Sequence, residues 1–168
     1  MAFSLFPDGF YETVLDIRPQ DLTRQGITLL LADLDNTLVP YKVPAPTPEL
    51  LAWREELEAG GVQLFLLSNS RKPRRPGSFA GRLGIDFIGH AGKPGRAGFL
   101  AAMERTGRTP SQTAIVGDQI FTDILGGKRS GVTALLVRPI QLAGNPGRYI
   151  RYAVETPFRM VARRRGKL

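Results

Sequence analysis

Ile27-Thr28-Leu29-Leu30-Leu31-Ala32-Asp33-Leu34-Asp35-Asn36-Thr37 passes from an apolar run to a pair of acids within a few residues. The apolar part lacks the alternation of a half-exposed strand, so it reads as a strand buried on both faces. Four further runs, 62–67, 85–88, 113–116 and 132–137, have the same character. Helical spacing recurs between them at 48–59, 78–83, 95–105 and 120–129. This alternation predicts an α/β fold: one doubly wound, Rossmann-like, five-stranded parallel sheet with helices on both faces. Thr47 is placed to cap the first of these helices, with Pro48 in its first turn and Glu49 at its positive end. Gly60 and Gly61 end it, and Gly131 sits where a left-handed turn into the last strand is needed. Pro40, Pro44, Pro46 and Pro48 predict an extended flap after the first acids.

In such a sheet, ligands bind beyond the carboxyl ends of the strands, where the strand order reverses. Every run but the last delivers polar residues there. The first ends in Asp33 and Asp35, the second in Ser68-Asn69-Ser70, the third leads to Lys93, and the fourth ends in Gly117-Asp118, with Asp123 five residues on. The inventory suits phosphoryl transfer, which needs a nucleophile, cations for the equatorial charge, donors to phosphate oxygens and an acid for the leaving group. Asp33 is then the nucleophile that becomes an aspartyl-phosphate, and Asp35 protonates the leaving oxygen and afterwards activates water. Ser68 and Asn69 donate to phosphoryl oxygens, and Lys93 neutralises their charge. Asp118 holds a metal ion together with the Asp33 carboxylate and the Asp35 backbone carbonyl, and Asp123 orients metal-bound water. The plain alternatives are a solvated strand-end turn for the acids, an ordinary turn at Ser68-Asn69, a loop lysine at Lys93 and a helix brace at Asp123. The ordered series favours chemistry over these, whereas His90 is read as structural.

Composition narrows the chemistry by elimination. The chain has 168 residues, 42% of them hydrophobic, no cysteine and one histidine. That removes disulfides, thiolate catalysis and multi-histidine metal centres, and leaves oxygen ligands, for which Mg²⁺ is the expected ion. A single unit, 1–168, is expected: a leader over 1–26, a core over about 27–137 and a basic segment over 138–168. No apolar run approaches the ~20 residues of a spanning helix. Asp8 and Glu12 interrupt the cluster of Phe3, Leu5, Phe6 and Phe10, which speaks against a signal peptide and for a cytoplasmic site, with peripheral attachment to the inner face of the membrane as an option.

The net charge of +8 is concentrated at one end. From Arg138 onward, eight bases face Glu155 alone. Tyr149, Ile150, Tyr152, Val154, Phe158, Met160 and Val161 are interleaved with these arginines, and Thr156-Pro157 is placed to restart a helix. The mixture suits an anionic membrane surface, nucleic acid, or packing of the segment on its own domain. Arg71, Lys72, Arg74 and Arg75 form a second basic run, read equally as a solvated loop or as an attractor of anionic substrate.

At Asp33-Leu34-Asp35-Asn36-Thr37, Ser68-Asn69, Lys93 and Gly117-Asp118 through Asp123, the chain resembles the haloacid-dehalogenase (HAD) superfamily, over roughly 27–137. A narrower resemblance is to its subclass IIIA, in the YqeG-type branch that is similar to phosphatidylglycerophosphatases. It rests on Leu5-Phe6-Pro7-Asp8, Gly26-Ile27, Leu38-Val39, Gly92-Lys93-Pro94 and Val116-Gly117-Asp118-Gln119-Ile120-Phe121-Thr122-Asp123-Ile124. Ser70 departs from the asparagine expected there. The resemblance implies a HAD-like fold and a Mg²⁺-dependent phosphomonoester hydrolase, with phosphatidylglycerophosphate as leading substrate. Thirty residues separate Thr37 from Ser68 and 23 separate Asn69 from Lys93, too few for a large cap domain. Two other readings stand beside this one: a soluble phosphatase of nucleotides, sugar phosphates or phosphoproteins, and a catalytically idle binding protein that uses its basic segment. The oligomeric state is left open.

Overall fold

A computed structural model describes residues 4–72, 74–142 and 146–168; Phe3 lies outside them. In chain order the elements are β1 (Gly9–Tyr11), α1 (Pro19–Thr23), β2 (Leu29–Ala32), α2 (Pro48–Ala59), β3 (Gln63–Leu67), α3 (Arg75–Leu83), β4 (Asp86–Ile88), α4 (Ala97–Thr106), β5 (Thr113–Gly117), α5 (Leu125–Ser130), β6 (Thr133–Val137) and α6 (Pro146–Arg165). The strands form one parallel sheet in the order β1-β6-β5-β2-β3-β4. The sheet therefore has six strands rather than the five expected. The added strand, β1, is three residues long, too short for a periodic signal, and is defined by its register on β6, Gly9 opposite Leu135 and Tyr11 opposite Val137. Asp8 fastens the leader beside it, its carboxylate accepting from the Ala134 N–H at 2.8 Å and pairing with Lys128.

Both faces of the sheet are covered, which is why the strands read as unbroken apolar runs. Leu30, Leu64, Leu66, Val116 and Leu135 point to one face and pack with Leu50, Trp53, Leu57 and Phe79 from α2 and α3. Leu29, Leu31, Phe65, Ile115 and Leu136 point to the other and pack with Phe99, Met103, Ile124 and Ala162. Thr47 caps α2, its hydroxyl accepting from the Leu50 N–H at 3.2 Å, and Gly131 takes the left-handed turn at φ 75°. β4 is an edge strand and only half-buried.

The basic C-terminal segment is largely one helix, α6, with Pro157 inside it rather than at a restart. The ring lies on the exposed side, and the preceding Thr156 hydroxyl donates to the Tyr152 carbonyl at 2.9 Å. The inner side of α6 is anchored by Glu155 and Arg159, both buried, and by Ala162. Phe158 packs between Phe6 and Phe121, tilted against the first and edge-on to the second, with ring centroids 5.6 Å and 6.5 Å away. No helix among the described residues is long and apolar enough to cross a membrane.

Candidate active site

The chain leaves β2 toward β3 on one side and leaves β5 toward β6 on the other, so the crevice between β2 and β5 is the point where strand order reverses. Asp33 follows β2 there, and its N–H donates to the Val116 carbonyl of β5 at 3.0 Å. Asp118 follows β5. The next residues turn tightly: Asn36 adopts φ 65°, and its N–H donates to the Val39 carbonyl at 2.7 Å, folding the start of the flap back over the acids. Thr37 is thereby aimed inward, and its hydroxyl donates to Asp118 Oδ1 at 3.3 Å.

Lys93 is the hub. Its Nζ donates to Asp33 Oδ1 at 2.8 Å, Asp123 Oδ1 at 2.7 Å and the Leu67 carbonyl at 2.7 Å, which uses all three of its protons. The Asn69 side chain holds the Lys93 backbone from both sides, accepting from its N–H at 2.9 Å and donating to its carbonyl at 2.8 Å. Burial alone would lower the Lys93 ammonium, but Asp123 and Asp33 outweigh it and hold it above the ordinary lysine range. Burial pushes Asp123 up to about 6 against the pull of Lys93, and Asp33 adds to the rise. Asp118 is pushed well above the usual carboxylate range by burial first, then by Asp33 and Asp123; Arg148 and Arg159 pull it partly back.

One ammonium thus pairs with two buried carboxylates, and the third, Asp118, has no ion-pair partner of its own among the described residues. Ligand oxygens of Asp33, Asp118 and Asp123 lie within 4.8 Å of one another. An all-oxygen, negatively charged set that is short of positive charge fits a hard divalent cation such as Mg²⁺.

Asp123 reaches this point from a wide helical turn, Ile120–Ile124, and its Oδ2 accepts from the Gln119 N–H at 3.2 Å. Gly117 makes the approach possible, because a Cβ there would stand 2.2 Å from the Asp123 carboxylate. Gly117→Ala should therefore displace the partner of Lys93. Overpacking of this kind costs about 1–3 kcal/mol. A thermal melt should show a fall of several degrees, together with reduced phosphate release.

The structure brings together all seven residues singled out in the sequence. Asp33, Asp35, Ser68 and Asn69 line a cleft of ≈ 250 Å³, and Lys93, Asp118 and Asp123 lie buried behind it. The larger clefts, ≈ 530 Å³ and ≈ 350 Å³, are at the opposite, amino ends of the strands. His90 is exposed in a turn at φ 51°.

Three further contacts escape a reading of the sequence. Arg75, the first residue of α3, binds Asp35 Oδ1 through Nε at 3.1 Å and Nη2 at 2.7 Å, and donates to the Val43 carbonyl of the flap at 2.7 Å. Arg159 donates to the Asp118 carbonyl and, at 2.6 Å, to Glu155, which itself accepts from the Phe121 N–H at 3.1 Å. Arg148 of α6 reaches the cleft mouth.

The "Probable phosphatase YqeG" of Bacillus subtilis is 37% identical to this chain over 134 residues, covering 80% of the chain and 77% of the relative. The chain belongs to the HAD family. The HAD-hydrolase-like sequence model matches residues 90–139, which hold Lys93, Asp118 and Asp123. The chloroplastic phosphatidylglycerophosphate phosphatase 1 of Chlamydomonas reinhardtii is 31% identical over 142 residues, 78% of this chain but 53% of that protein's length. The solved 3-deoxy-D-manno-octulosonate 8-phosphate phosphatase of Moraxella catarrhalis, in complex with magnesium and phosphate, superposes with a TM-score of 0.54 over 82% of this chain and 90% of its own, at 16% identity; that likeness bears on the fold. As a HAD phosphatase of subclass III type, the chain is a phosphoric monoester hydrolase acting on a phosphorylated substrate. Among the described residues, the interval from Thr37 to Ser68 holds α2 and β3 and that from Asn69 to Lys93 holds α3 and β4, with no folded cap in either.

Proposed function

We propose that the chain hydrolyses a phosphomonoester through an aspartyl-phosphate on Asp33, with Mg²⁺, and that its substrate is phosphatidylglycerophosphate. The observation that carries the chemistry is the pairing of Asp33 Oδ1 with the buried Lys93, which leaves Oδ2 for attack. Asp33 Oδ2 attacks phosphorus, the ester P–O bond breaks, and the leaving oxygen takes a proton from Asp35. Water then attacks the phosphorus of the acyl phosphate, Asp35 takes its proton, and the P–O bond to Asp33 breaks to release phosphate.

Ser68 is suited to hold a phosphoryl oxygen, since its Oγ accepts from the Ser70 N–H at 3.1 Å and keeps its own proton to donate. The Asn69 amide has one N–H left after bracing Lys93. Asp33, Asp118 and the Asp35 carbonyl would hold Mg²⁺, and Asp123 would orient its water. When bound, Mg²⁺ supplies positive charge to the phosphoryl oxygens.

Arg75 occupies Asp35 Oδ1 and leaves Oδ2 for proton transfer. Its removal should matter most where the leaving group needs a proton. General acid–base catalysis contributes about 10²–10⁴-fold, so Arg75→Leu should slow an alkyl phosphate roughly 10²-fold and p-nitrophenyl phosphate less than about tenfold. Equal loss on both would mean that Arg75 supports only the fold.

The lipid reading rests on the algal relative, on the absence of a folded cap among the described residues, and on α6. The outer side of α6 exposes Ile150, Val154, Met160 and Val161 among its arginines, a pattern suited to an anionic bilayer surface. The test is Mg²⁺-dependent phosphate release from phosphatidylglycerophosphate in mixed micelles beside a soluble phosphate panel. The expected result is release from the lipid; activity confined to the panel keeps the chemistry and discards the lipid. Equal co-sedimentation with neutral and anionic vesicles would remove the electrostatic part of the membrane argument.

A further inference from the structure

The inner wall of the cleft is built from Asp33, Asp35, Ser68 and Asn69, but its mouth is basic. Lys72 and Arg148 converge there from distant parts of the chain onto one aromatic ring: Lys72 Nζ lies 5.2 Å and the Arg148 guanidinium carbon 5.9 Å from the centroid of Tyr41. Both line the same cleft, with Arg71 beside them. Cation–π contact accounts for part of this placement. It leaves the hydrogen-bonding capacity of the guanidinium unused. Arg148 Nη1 is buried and has no hydrogen-bond partner among the described residues. A buried charged donor without an acceptor is costly. Asp35 is committed to Arg75 and Asp33 to Lys93, and Asp118, although near enough for its charge to be felt, makes no hydrogen bond or ion pair with Arg148 among the described residues. What the mouth lacks is an anion brought by the ligand.

The cleft volume of ≈ 250 Å³ also bears on the ligand. Pockets that enclose a whole drug-sized molecule span about 300–1,000 Å³. A small cleft with Lys72 and Arg148 in its wall suits a phosphoryl group with a short linker that reaches those two cations.

We propose that Arg148 and Lys72, set against Tyr41, form a second anion subsite, so that the substrate carries a second phosphate joined by a short linker to the phosphomonoester that is cleaved. This rests on the phosphatase reading of the Asp33 site and deepens it by naming the residues that recognise the substrate beyond the phosphoryl group that is cleaved. Arg148 and Lys72 act in specificity: they hold the non-reacting phosphate. Planar, forked Arg148 suits two oxygens of one phosphate, whereas Lys72 adds a point charge.

The test compares kcat/KM on three soluble substrates: glycerol 3-phosphate, with one phosphate; glycerophosphoglycerol phosphate, whose second phosphate is a diester as in a lipid headgroup; and a hexose bisphosphate, whose second phosphate is a monoester. The wild type should prefer at least one two-phosphate substrate to glycerol 3-phosphate by about 10- to 100-fold, the range expected for one or two charge-assisted hydrogen bonds. Which one it prefers tells a lipid-type diester from a soluble bisphosphate. In Arg148→Gln and in Lys72→Gln that preference should shrink toward one, with the loss mainly in KM, and Arg148→Lys should fall between. A wild type indifferent to the second phosphate would overturn the proposal, as would variants that lose equally on all three substrates. A wild type inactive on everything would instead overturn the phosphatase reading beneath it. Lys72 is exposed, so Lys72→Gln keeps the test valid should Arg148→Gln fail to fold.

Discussion

Asp33→Asn should abolish phosphate release while leaving the fold intact. The amide keeps the shape of the carboxylate but is too poor a nucleophile to form the acyl phosphate, and it presents no charge to Lys93. Loss of a nucleophile commonly costs about 10⁴–10⁶-fold in kcat. The variant removes one of three mutually repelling carboxylates, so its melting temperature should match or exceed that of the wild type without metal. Phosphate release within tenfold of wild type would remove Asp33 from the role assigned to it.

The second large effect should come from Lys93→Met. Its Nζ is paired with Asp33 and Asp123, and the side chains of Lys93 and Asp123 are each only 1% exposed. Taking away one partner of such a buried arrangement leaves carboxylates with no compensation and costs about 3–5 kcal/mol. For a chain of this size that is a fall in melting temperature of roughly 6–20 °C. Replacing both sides, Lys93→Met with Asp123→Leu, should recover part of the stability, since apolar residues of similar volume tolerate burial. Neither variant should release phosphate. An unchanged melt for the single variant would mean that Lys93 is not the electrostatic keystone of the cleft.

Much of this was legible in the chain, for identifiable reasons. β2, β3, β5 and β6 were readable because two buried faces make their central residues apolar, and the acids after β2 and β5 were readable because parallel strands deliver their carboxyl ends to one crevice. β1 was not readable: three residues carry no period, and their place is set by pairing with a strand more than a hundred residues away. Pro157 suggested a restart, yet a proline is tolerated where its missing N–H falls on the exposed side of a helix. The basic run 71–75 illustrates a further limit. Arg75 and its neighbours are alike in sequence, and only the start of α3 beside the flap sets Arg75 against Asp35. Likewise the sequence left the basic C-terminal segment open between membrane, nucleic acid and its own domain, and Glu155 and Arg159 knit it to Asp118 and Phe121. Two of its arginines, Arg148 and Arg159, turn inward to the site.

This inward turn gives α6 two sides with separate duties. The buried side braces the end of β5 and carries Arg148 to the cleft mouth, and the outer side presents apolar residues among arginines. A surface-bound substrate would then meet the membrane-facing residues and the anion subsite on one element. Substitutions on the outer side should change activity on lipid and spare activity on soluble phosphates, because no outer residue touches the cleft.

The most direct test of the central claim is to trap the covalent intermediate. Asp35→Asn should form the acyl phosphate with an activated aryl phosphate, whose leaving group needs little protonation, and should be slow to hydrolyse it. After an acid quench, mass spectrometry of the proteolysed protein should find one phosphoryl group on the peptide that contains Asp33, and none in Asp33→Asn/Asp35→Asn. A phosphoryl group on any other residue, or none at all while phosphate is still being released, would contradict the account.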